Sequence, residues 1–510
     1  LKDFQVTCPP TDPVIVLRLS PNPDSSSAEQ CSMASHTTSP DEAFEAWLPR
    51  CRWFSAKNLR DIKTQLRSID CINLPPRTDD GEKIQLACIQ FETGRGETTV
   101  LAIVQFIPDQ HAMPTCRDAT TDAAVSEWLL ELIQSGGTLQ TTMGRFVGHS
   151  LQQQVGEAPL TNNLSTSPLG EDTSNTSTLI TTQDANGTTI HYVSKFIHTY
   201  HMGIAPEVEV GLHLTQCGWS GAPPLVGWLE YIPTKKEQGG AVATVHQAIT
   251  PSMDAWEYFR QALLQGVNAN DALLDIAHRI GTLTAGMHEA LASTKDSAFS
   301  PQIPLEKERW ETACSMTEHA RSVWDLLSTA DVPSLFQQRV NDILAKQQIV
   351  LDALEALARL QPTAAYIRVH GDYHLGQLLI DQSDQTLHVI DFEGEPRRSL
   401  AERRKKTSIF KDLAGMSRSF DYLCHRPENS ETQVKATDLT RAFLTAYTES
   451  AYGQCFYPDT KGEAESLLTT FMLDKAIYEL AYEAQHRPDW LDAPLTAVET
   501  FLRAGRLFVL

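Results

Sequence analysis

Apolar and polar residues alternate over Ile84–Phe91 and Thr98–Phe106, which predicts two paired strands with Gly94-Arg-Gly96 as their turn. Thr178–Thr182 and Thr188–Phe196 alternate in the same way around Asp184-Ala-Asn-Gly187. Asn-Gly tolerates the positive φ angles of a tight hairpin turn, so this stretch reads as a hairpin. Leu225–Tyr231 and Ala241–Ile249 read as further strands. After Asp254 the period changes. Trp256–Leu264, Asp271–Leu291, Glu306–Ser328, Pro333–Leu360, Lys435–Tyr447 and Lys475–Gln485 carry apolar residues three and four apart, the spacing of one helix face. Two earlier helices are expected: one from Asp41, capped by Ser39 or Asp41, and one over Val125–Ile133. A strand-rich first half and a helical second half make an α+β protein.

The pattern fails in two places. Asn22–Pro40 is rich in Ser, Thr, Pro and Asp with no apolar period and reads as a flexible linker. Ahead of it, Phe4–Pro10 and Val14–Leu19 read either as two short strands or as a disordered lead-in. Gly156–Ser177 is polar throughout and reads as a loop. These breaks divide the chain into a lead-in and linker (1–40), a cap subdomain (41–150), an intermediate subdomain (151–250) and a helical lobe (251–510).

Composition narrows the function. A net charge of −22 over 510 residues argues against nucleic acid as a partner, because phosphate backbones select basic surfaces. The ten cysteines include no Cys-x-x-Cys pair and read as reduced thiols of a cytoplasmic protein. No apolar run approaches the ~20 residues of a membrane span. The chain begins with Leu1, which implies a piece of a longer polypeptide.

The chemistry concentrates in Arg368-Val-His-Gly-Asp-Tyr-His-Leu-Gly-Gln377 and Val389-Ile-Asp-Phe-Glu-Gly-Glu-Pro396. Asp372 precedes the amide of Gln377 by five residues, and Asp391 follows an apolar strand. Protein kinases share this layout: one Asp accepts the substrate hydroxyl proton, an amide five residues on holds Mg²⁺, and a later Asp holds the metal against the phosphates. The layout makes Asp372 the catalytic base and Gln377 and Asp391 metal ligands, with Glu393 a further oxygen donor suited to a hard cation. Lys195 ends a strand as the ATP-phosphate lysine, with Glu209, or alternatively Glu207, to hold it. Ser174, Asn175, Thr176 and Ser177 stand where a phosphate-covering loop belongs, and Gln247 to Ile249 where a hinge presents backbone groups to adenine. His370 and His374 flank the base. Arg418 and Asp421 share a helix face, and Tyr478 and Glu479 lie on the Lys475–Gln485 helix; together these six make the expected sugar-binding wall. The basic run Arg397–Lys406 flanks the phosphate site. Trp53 reads either as near the nucleotide with Lys57 or as a packed anchor of the cap.

Taken with Arg52-Trp-Phe-Ser-Ala-Lys57, Asp254-Ala-Trp-Glu-Tyr258, Asp412-Leu-Ala-Gly-Met-Ser-Arg-Ser-Phe-Asp-Tyr422 and His486-Arg-Pro-Asp-Trp490, the chain resembles the maltokinases, relatives of the aminoglycoside phosphotransferases. The resemblance runs from about Asp41 to the C-terminus. It implies a bilobal eukaryotic-protein-kinase-like fold with an N-terminal cap and a mostly helical C-lobe. It further implies ATP and Mg²⁺ as cosubstrate and metal, and maltose phosphorylated to maltose 1-phosphate for glycogen and α-glucan synthesis. Fusion to, or association with, a trehalose synthase is implied as well, since the lead-in is similar to the closing strands of α-amylase-family enzymes. Two alternatives remain open: a kinase for glucosamine or an aminoglycoside, and a pseudokinase module of a fused trehalose synthase.

Overall fold

The computed structural model describes residues 47–51, 53–54, 66–74, 84–93, 96–107, 115–151, 164–170, 175–184, 186–265, 270–396, 398–425 and 434–508. The expected lead-in strands, the linker, the start of the Asp41 helix, Lys57 and Ser174 lie outside these residues. The chain forms two compact units. One runs up to Ala205 and includes Leu225–Ala248; the other combines Pro206–Pro224 with everything from Ile249. The chain thus passes from strand to helical territory twice, and the 151–250 segment contributes to both units.

The first unit holds two antiparallel sheets. β1 (Leu66–Asn73), β2 (Ile84–Thr93), β3 (Gly96–Ile107) and β4 (Thr115–Asp118) pair in sequence order. Both faces of this sheet are covered. Leu86, Cys88, Leu101 and Ile103 enter one core with α1 (Ala123–Gln134), while Ala87, Ile89, Val100 and Ala102 enter another with Leu48, Trp53 and Phe54. A strand buried on both faces needs apolar residues at nearly every position, so the middle of each stretch is a continuous apolar run, Leu86–Ile89 and Val100–Val104, and not the alternation expected. Trp53 is the packed anchor. Its ring stacks on His198 at 4.0 Å and its indole N–H donates to Asp118 Oδ2 at 3.3 Å.

The second sheet has the order β5-β6-β10-β11-β9-β8-β7. Its strands are β5 (Thr138–Gln140), β6 (Gly144–Ser150), β7 (Ser165–Leu169), β8 (Asn175–Gln183), β9 (Thr189–Ile197), β10 (Leu225–Pro233) and β11 (Gly240–Gln247). The β8–β9 hairpin closes as expected, with the Asp184 carboxylate accepting from the backbone N–H groups of Asn186 at 2.9 Å and Thr188 at 2.8 Å. Two expectations are corrected here. Ser165–Leu169 forms an edge strand inside the stretch read as loop; its side chains are mostly solvated, so hydropathy carries no signal. Asn175, Thr176 and Ser177 are strand residues opposite Ile197, Phe196 and Lys195, and not part of a loop.

The second unit contains α2 (Pro206–Gln216), a small sheet of order β12-β13-β14 (Ser252–Asp254, Leu378–Asp381, Leu387–Val389), and a helical body. The helices are α3 (Ala255–Gln265), α4 (Asn270–Leu291), α5 (Glu306–Thr329), α6 (Ser334–Leu344), α7 (Gln347–Arg359), α8 (Leu400–Arg403), α9 (Phe410–Cys424), α10 (Ala436–Ala451), α11 (Lys461–His486) and α12 (Asp492–Ala504). The expected Pro333–Leu360 helix is two helices, broken at Ala345 and Lys346. Both halves bury apolar stripes, Phe336, Val340 and Ile343 in one and Val350, Leu354 and Leu357 in the other, so periodicity alone could not show the break. Helix α4 packs closely on α10: a Cβ at Gly281 would lie 2.1 Å from the Phe443 carbonyl oxygen, so only glycine fits. Among the described residues no helix is long and apolar enough to cross a membrane.

Candidate active site

The small sheet of the second unit delivers both halves of the motif. A short 3-10 turn, Leu375–Gln377, leads into β13, and β14 leads out to Asp391. The loop ahead of β13 is held by one face of α9, where Asp412, Gly415 and Ser419 are spaced three and four apart. Asp412 is fully buried and accepts from the backbone N–H groups of His370 and Gly371, both at 2.8 Å. Gly371 takes φ +88°, open to glycine and costly for other residues. A Cβ at Gly415 would lie 2.4 Å from the Tyr373 carbonyl oxygen, and Ser419 Oγ accepts from Leu375 N–H at 3.1 Å. The backbone is thus tied on both sides of Asp372.

Asp372 is only partly buried, and its Oδ1 lies 3.5 Å from the ammonium of Lys475 on α11. Lys475 also reaches Glu395 at 3.9 Å and sits 5.1 Å from the centre of the Tyr478 ring. Burial works against the Lys475 charge, but Asp372 and Glu395 outweigh it and hold its pKa above the ordinary lysine value. Burial likewise opposes ionisation of Glu395, yet Lys411, Lys475 and Arg398 overcome it and hold this carboxyl below the usual range. Lys475 and Glu395 were given no role from sequence. The available signal was helical spacing, which puts Lys475 on the face of Tyr478 and Glu479.

On the metal side, Gln377 Nε2 donates to Asp391 Oδ2 at 3.0 Å, which leaves Oε1 as the atom it can offer a cation. Asp391 has φ +66°, a strained conformation for a non-glycine residue and one that clusters at functional sites. Ligand atoms of Glu207, Asp391 and Glu393 lie within 4.8 Å of one another. Three carboxylates and a nearby amide oxygen form the donor set that Mg²⁺ prefers, so these residues fit the ion. Glu207 enters as a metal-side carboxylate, a role not foreseen.

Several expected site residues serve the scaffold instead. Glu209 has both oxygens occupied by guanidinium groups, from Arg368 at 2.8 Å and from Arg404 at 2.6 and 3.0 Å. Burial alone would raise its pKa, and the Arg404 and Arg368 charges carry it below the ordinary value. It therefore fastens α2 to the basic run and is not the partner expected for Lys195. Much of that run neutralises carboxylates rather than phosphates, since Arg398 also binds Glu395 at 3.2 Å. The His370 ring is buried, with Nε2 on the Ile390 carbonyl at 2.9 Å, so it latches the two motif halves and is not a sugar contact. Arg418 is 1% exposed; it donates to Glu479 at 2.7 and 2.9 Å and to Asp421 at 2.6 Å. Burial takes Arg418 and Glu479 out of the expected sugar wall and makes them a lock between α9 and α11, while Asp421, partly exposed, is engaged by the Arg418 guanidinium. Tyr478 stays beside Lys475, and His374 lies two residues past Asp372. His374 Nδ1 accepts from Gly376 N–H at 3.1 Å, and burial keeps its pKa low, so the ring is neutral at pH 7.

In the first unit Lys195 lies on β9, buried, between Ser177 and Thr244. Thr176 Oγ1 bonds His198 Nε2 at 2.8 Å. Gln247 closes β11 opposite Tyr192, and the chain crosses to the second unit between Ala248 and Ile249.

Comparison with known proteins matches residues 165–394 to the phosphotransferase enzyme family, APH. A glucosamine kinase of Streptacidiphilus jiangxiensis is 27% identical over 263 residues, 50% of this chain and 56% of that protein. One of Mycolicibacterium smegmatis is 26% identical over 277 residues, 52% of this chain and 63% of that protein. The chain thus spans less than two thirds of either relative. A solved glucosamine kinase in complex with glucosamine, ADP and inorganic phosphate is 19% identical, covers 86% of this chain and 94% of that one, and superposes with a TM-score of 0.60. A second glucosamine kinase structure (crystal form B) gives a TM-score of 0.60 at 20% identity, over 91% of this chain and 100% of that one. Over residues 165–394 the chain is thus similar to the phosphotransferase enzyme family, and it shares the kinase-like fold of these solved structures.

Proposed function

We propose that the chain transfers the γ-phosphoryl group of ATP to a sugar hydroxyl, with maltose as acceptor and maltose 1-phosphate as product. The observation that carries this is the Asp372–Lys475 pair, 3.5 Å apart, with the Gln377–Asp391 bond at 3.0 Å completing the metal side. Asp372 takes the hydroxyl proton as the sugar oxygen attacks phosphorus. Lys475 pairs with Asp372 and aims it, and offers N–H donors to an adjacent hydroxyl. Gln377, Asp391, Glu393 and Glu207 would hold Mg²⁺, which neutralises phosphate charge when bound. Lys195 is the proposed ATP-phosphate lysine, and the backbone of Gln247 to Ile249 the proposed adenine contact. In the cell a trehalose synthase, fused or associated, supplies the maltose in the cytoplasm.

Lys475 is the reason for a neutral acceptor. A protonated amine about 4 Å from its ammonium costs on the order of 1–4 kcal/mol, depending on how well water screens the pair. Sugar hydroxyls carry no such penalty and can donate to Asp372 while accepting from Lys475. A second reading has a specific observation behind it: the curated relatives above are glucosamine kinases, which favours glucosamine. Product analysis by ³¹P NMR after incubation with Mg-ATP and each sugar separately decides. Phosphate on maltose alone supports the first reading and phosphate on glucosamine alone the second. No ATP consumption with any sugar would leave a pseudokinase.

A further inference from the structure

The catalytic loop is tied to α9 through Asp412, a buried carboxylate that itself needs a partner. That partner comes from α4. His288 Nε2 lies 3.1 Å from Asp412 Oδ2, and His288 Nδ1 lies 2.8 Å from the Tyr447 hydroxyl on α10. His288, Asp412 and Tyr447 are all 0% exposed. One turn earlier on the same face of α4, Thr284 Oγ1 lies 2.8 Å from the Tyr373 hydroxyl. Helix α4 therefore reaches the loop on both sides of Asp372: before it through His288 and Asp412, and after it through Thr284 and Tyr373.

The chain of bonds has a direction. Burial holds the Tyr447 phenol protonated, so its O–H donates to His288 Nδ1. Nε2 then carries the ring proton and donates to Asp412. Asp412 stays ionised despite complete burial, because His288, His370 and the Gly371 N–H outweigh the desolvation. An Asp412 without His288 would face an apolar interior with an uncompensated charge. It would then protonate or turn, and either change releases one of the two backbone N–H groups that set Asp372.

We propose that His288 is a positioning residue for phosphoryl transfer: with Tyr447 it holds the Asp412 carboxylate in the orientation that accepts from His370 and Gly371, and so keeps Asp372 in register with the acceptor oxygen. The proposal rests on the reading of Asp372 as the base. Misplacing a reacting group by about 1 Å can cost roughly 100-fold in rate while leaving binding groups untouched.

The test compares His288→Ala, His288→Gln and Tyr447→Phe with wild type, by steady-state kinetics and by amide hydrogen exchange of the peptide containing His370 and Gly371. Expected for His288→Ala is a kcat about 10- to 100-fold lower, KM values for Mg-ATP and sugar within about twofold, and faster exchange in that peptide. Gln can place an amide N–H where Nε2 stood and should recover most of the lost kcat; Tyr447→Phe should lower kcat about threefold. A folded His288→Ala with unchanged kcat, a parallel rise in both KM values, or no recovery by Gln would overturn the proposal. Should His288→Ala fail to fold, Tyr447→Phe decides: unchanged kcat and exchange overturn the proposal, and lowered kcat at constant KM supports it. Should wild type turn over no sugar, the function reading fails alone, and the exchange rates still decide this one.

Discussion

The ammonium of Lys475 on α11 lies 3.5 Å from Oδ1 of Asp372 in the catalytic loop, and the same ammonium approaches Glu395 at 3.9 Å. Two carboxylates from one motif thus share a cation from a helix a hundred residues away. On the proposed function, the pairing orients Asp372 and sets the charge that an acceptor meets. Lys475→Met keeps the length of the stem and removes the charge. Expected are a kcat about 10-fold lower for maltose and a relative gain for glucosamine, measured as the ratio of the two kcat/KM values. A ratio unchanged from wild type would show that Lys475 plays no part in acceptor choice.

Asp372→Asn should lower kcat about 10²- to 10⁴-fold, the range for removing a general base. The amide preserves shape, so Mg-ATP affinity by calorimetry should stay within about threefold. Activity close to wild type would remove Asp372 from its role.

Asp391 combines strain with crowded charge: φ is +66° and its carboxylate faces those of Glu207 and Glu393. Asn tolerates the left-handed region and relieves the repulsion. Asp391→Asn should therefore melt at the same temperature as wild type or higher, while Mg-dependent ATP affinity falls at least about 10-fold. A lower melting temperature with unchanged affinity would place Asp391 in the scaffold alone.

Asp474, next to Lys475, has its pKa pushed up to about 6 by burial and by the Glu395 charge. A carboxyl that titrates higher folded than unfolded, where ~3.9 is usual, binds its proton more tightly in the fold, so its ionisation destabilises. The penalty is absent below pH ~4, grows between ~4 and ~6, and is complete above ~6. Asp474→Asn should accordingly stabilise the protein at pH 7.5 by on the order of 1–2 kcal/mol and by much less at pH 4.5, read from urea denaturation at both values. An equal gain at the two pH values would contradict this.

The buried lock of Arg418 with Glu479 and Asp421 makes the opposite kind of prediction. Arg418→Met leaves Glu479 buried without its cation and should cost roughly 3–5 kcal/mol. Adding Glu479→Met should return part of that loss. A single variant as stable as wild type, with a raised maltose KM, would restore Arg418 to the sugar site.

Local chemistry in the sequence was enough for a good part of this picture. Alternation and the Asn-Gly turn specify the β8–β9 hairpin, because side-chain period and turn conformation are properties of neighbouring residues. The five-residue step from Asp372 to Gln377 and the apolar strand before Asp391 likewise mark a phosphotransferase loop, since the spacing brings Gln377 to Asp391 along a path of few residues. Edge strand β7 and the break at Ala345 stayed hidden, one because its side chains are solvated and the other because its apolar stripe is uninterrupted. The partner of each charge was decided only by tertiary packing. Arg418 and Asp421 share a helix face whether they meet sugar or Glu479, and nothing local distinguishes the two. Burial does: a guanidinium sealed between α9 and α11 must satisfy its charge inside the protein, whereas Lys475, at the edge of the same helix pair, keeps its charge beside Asp372.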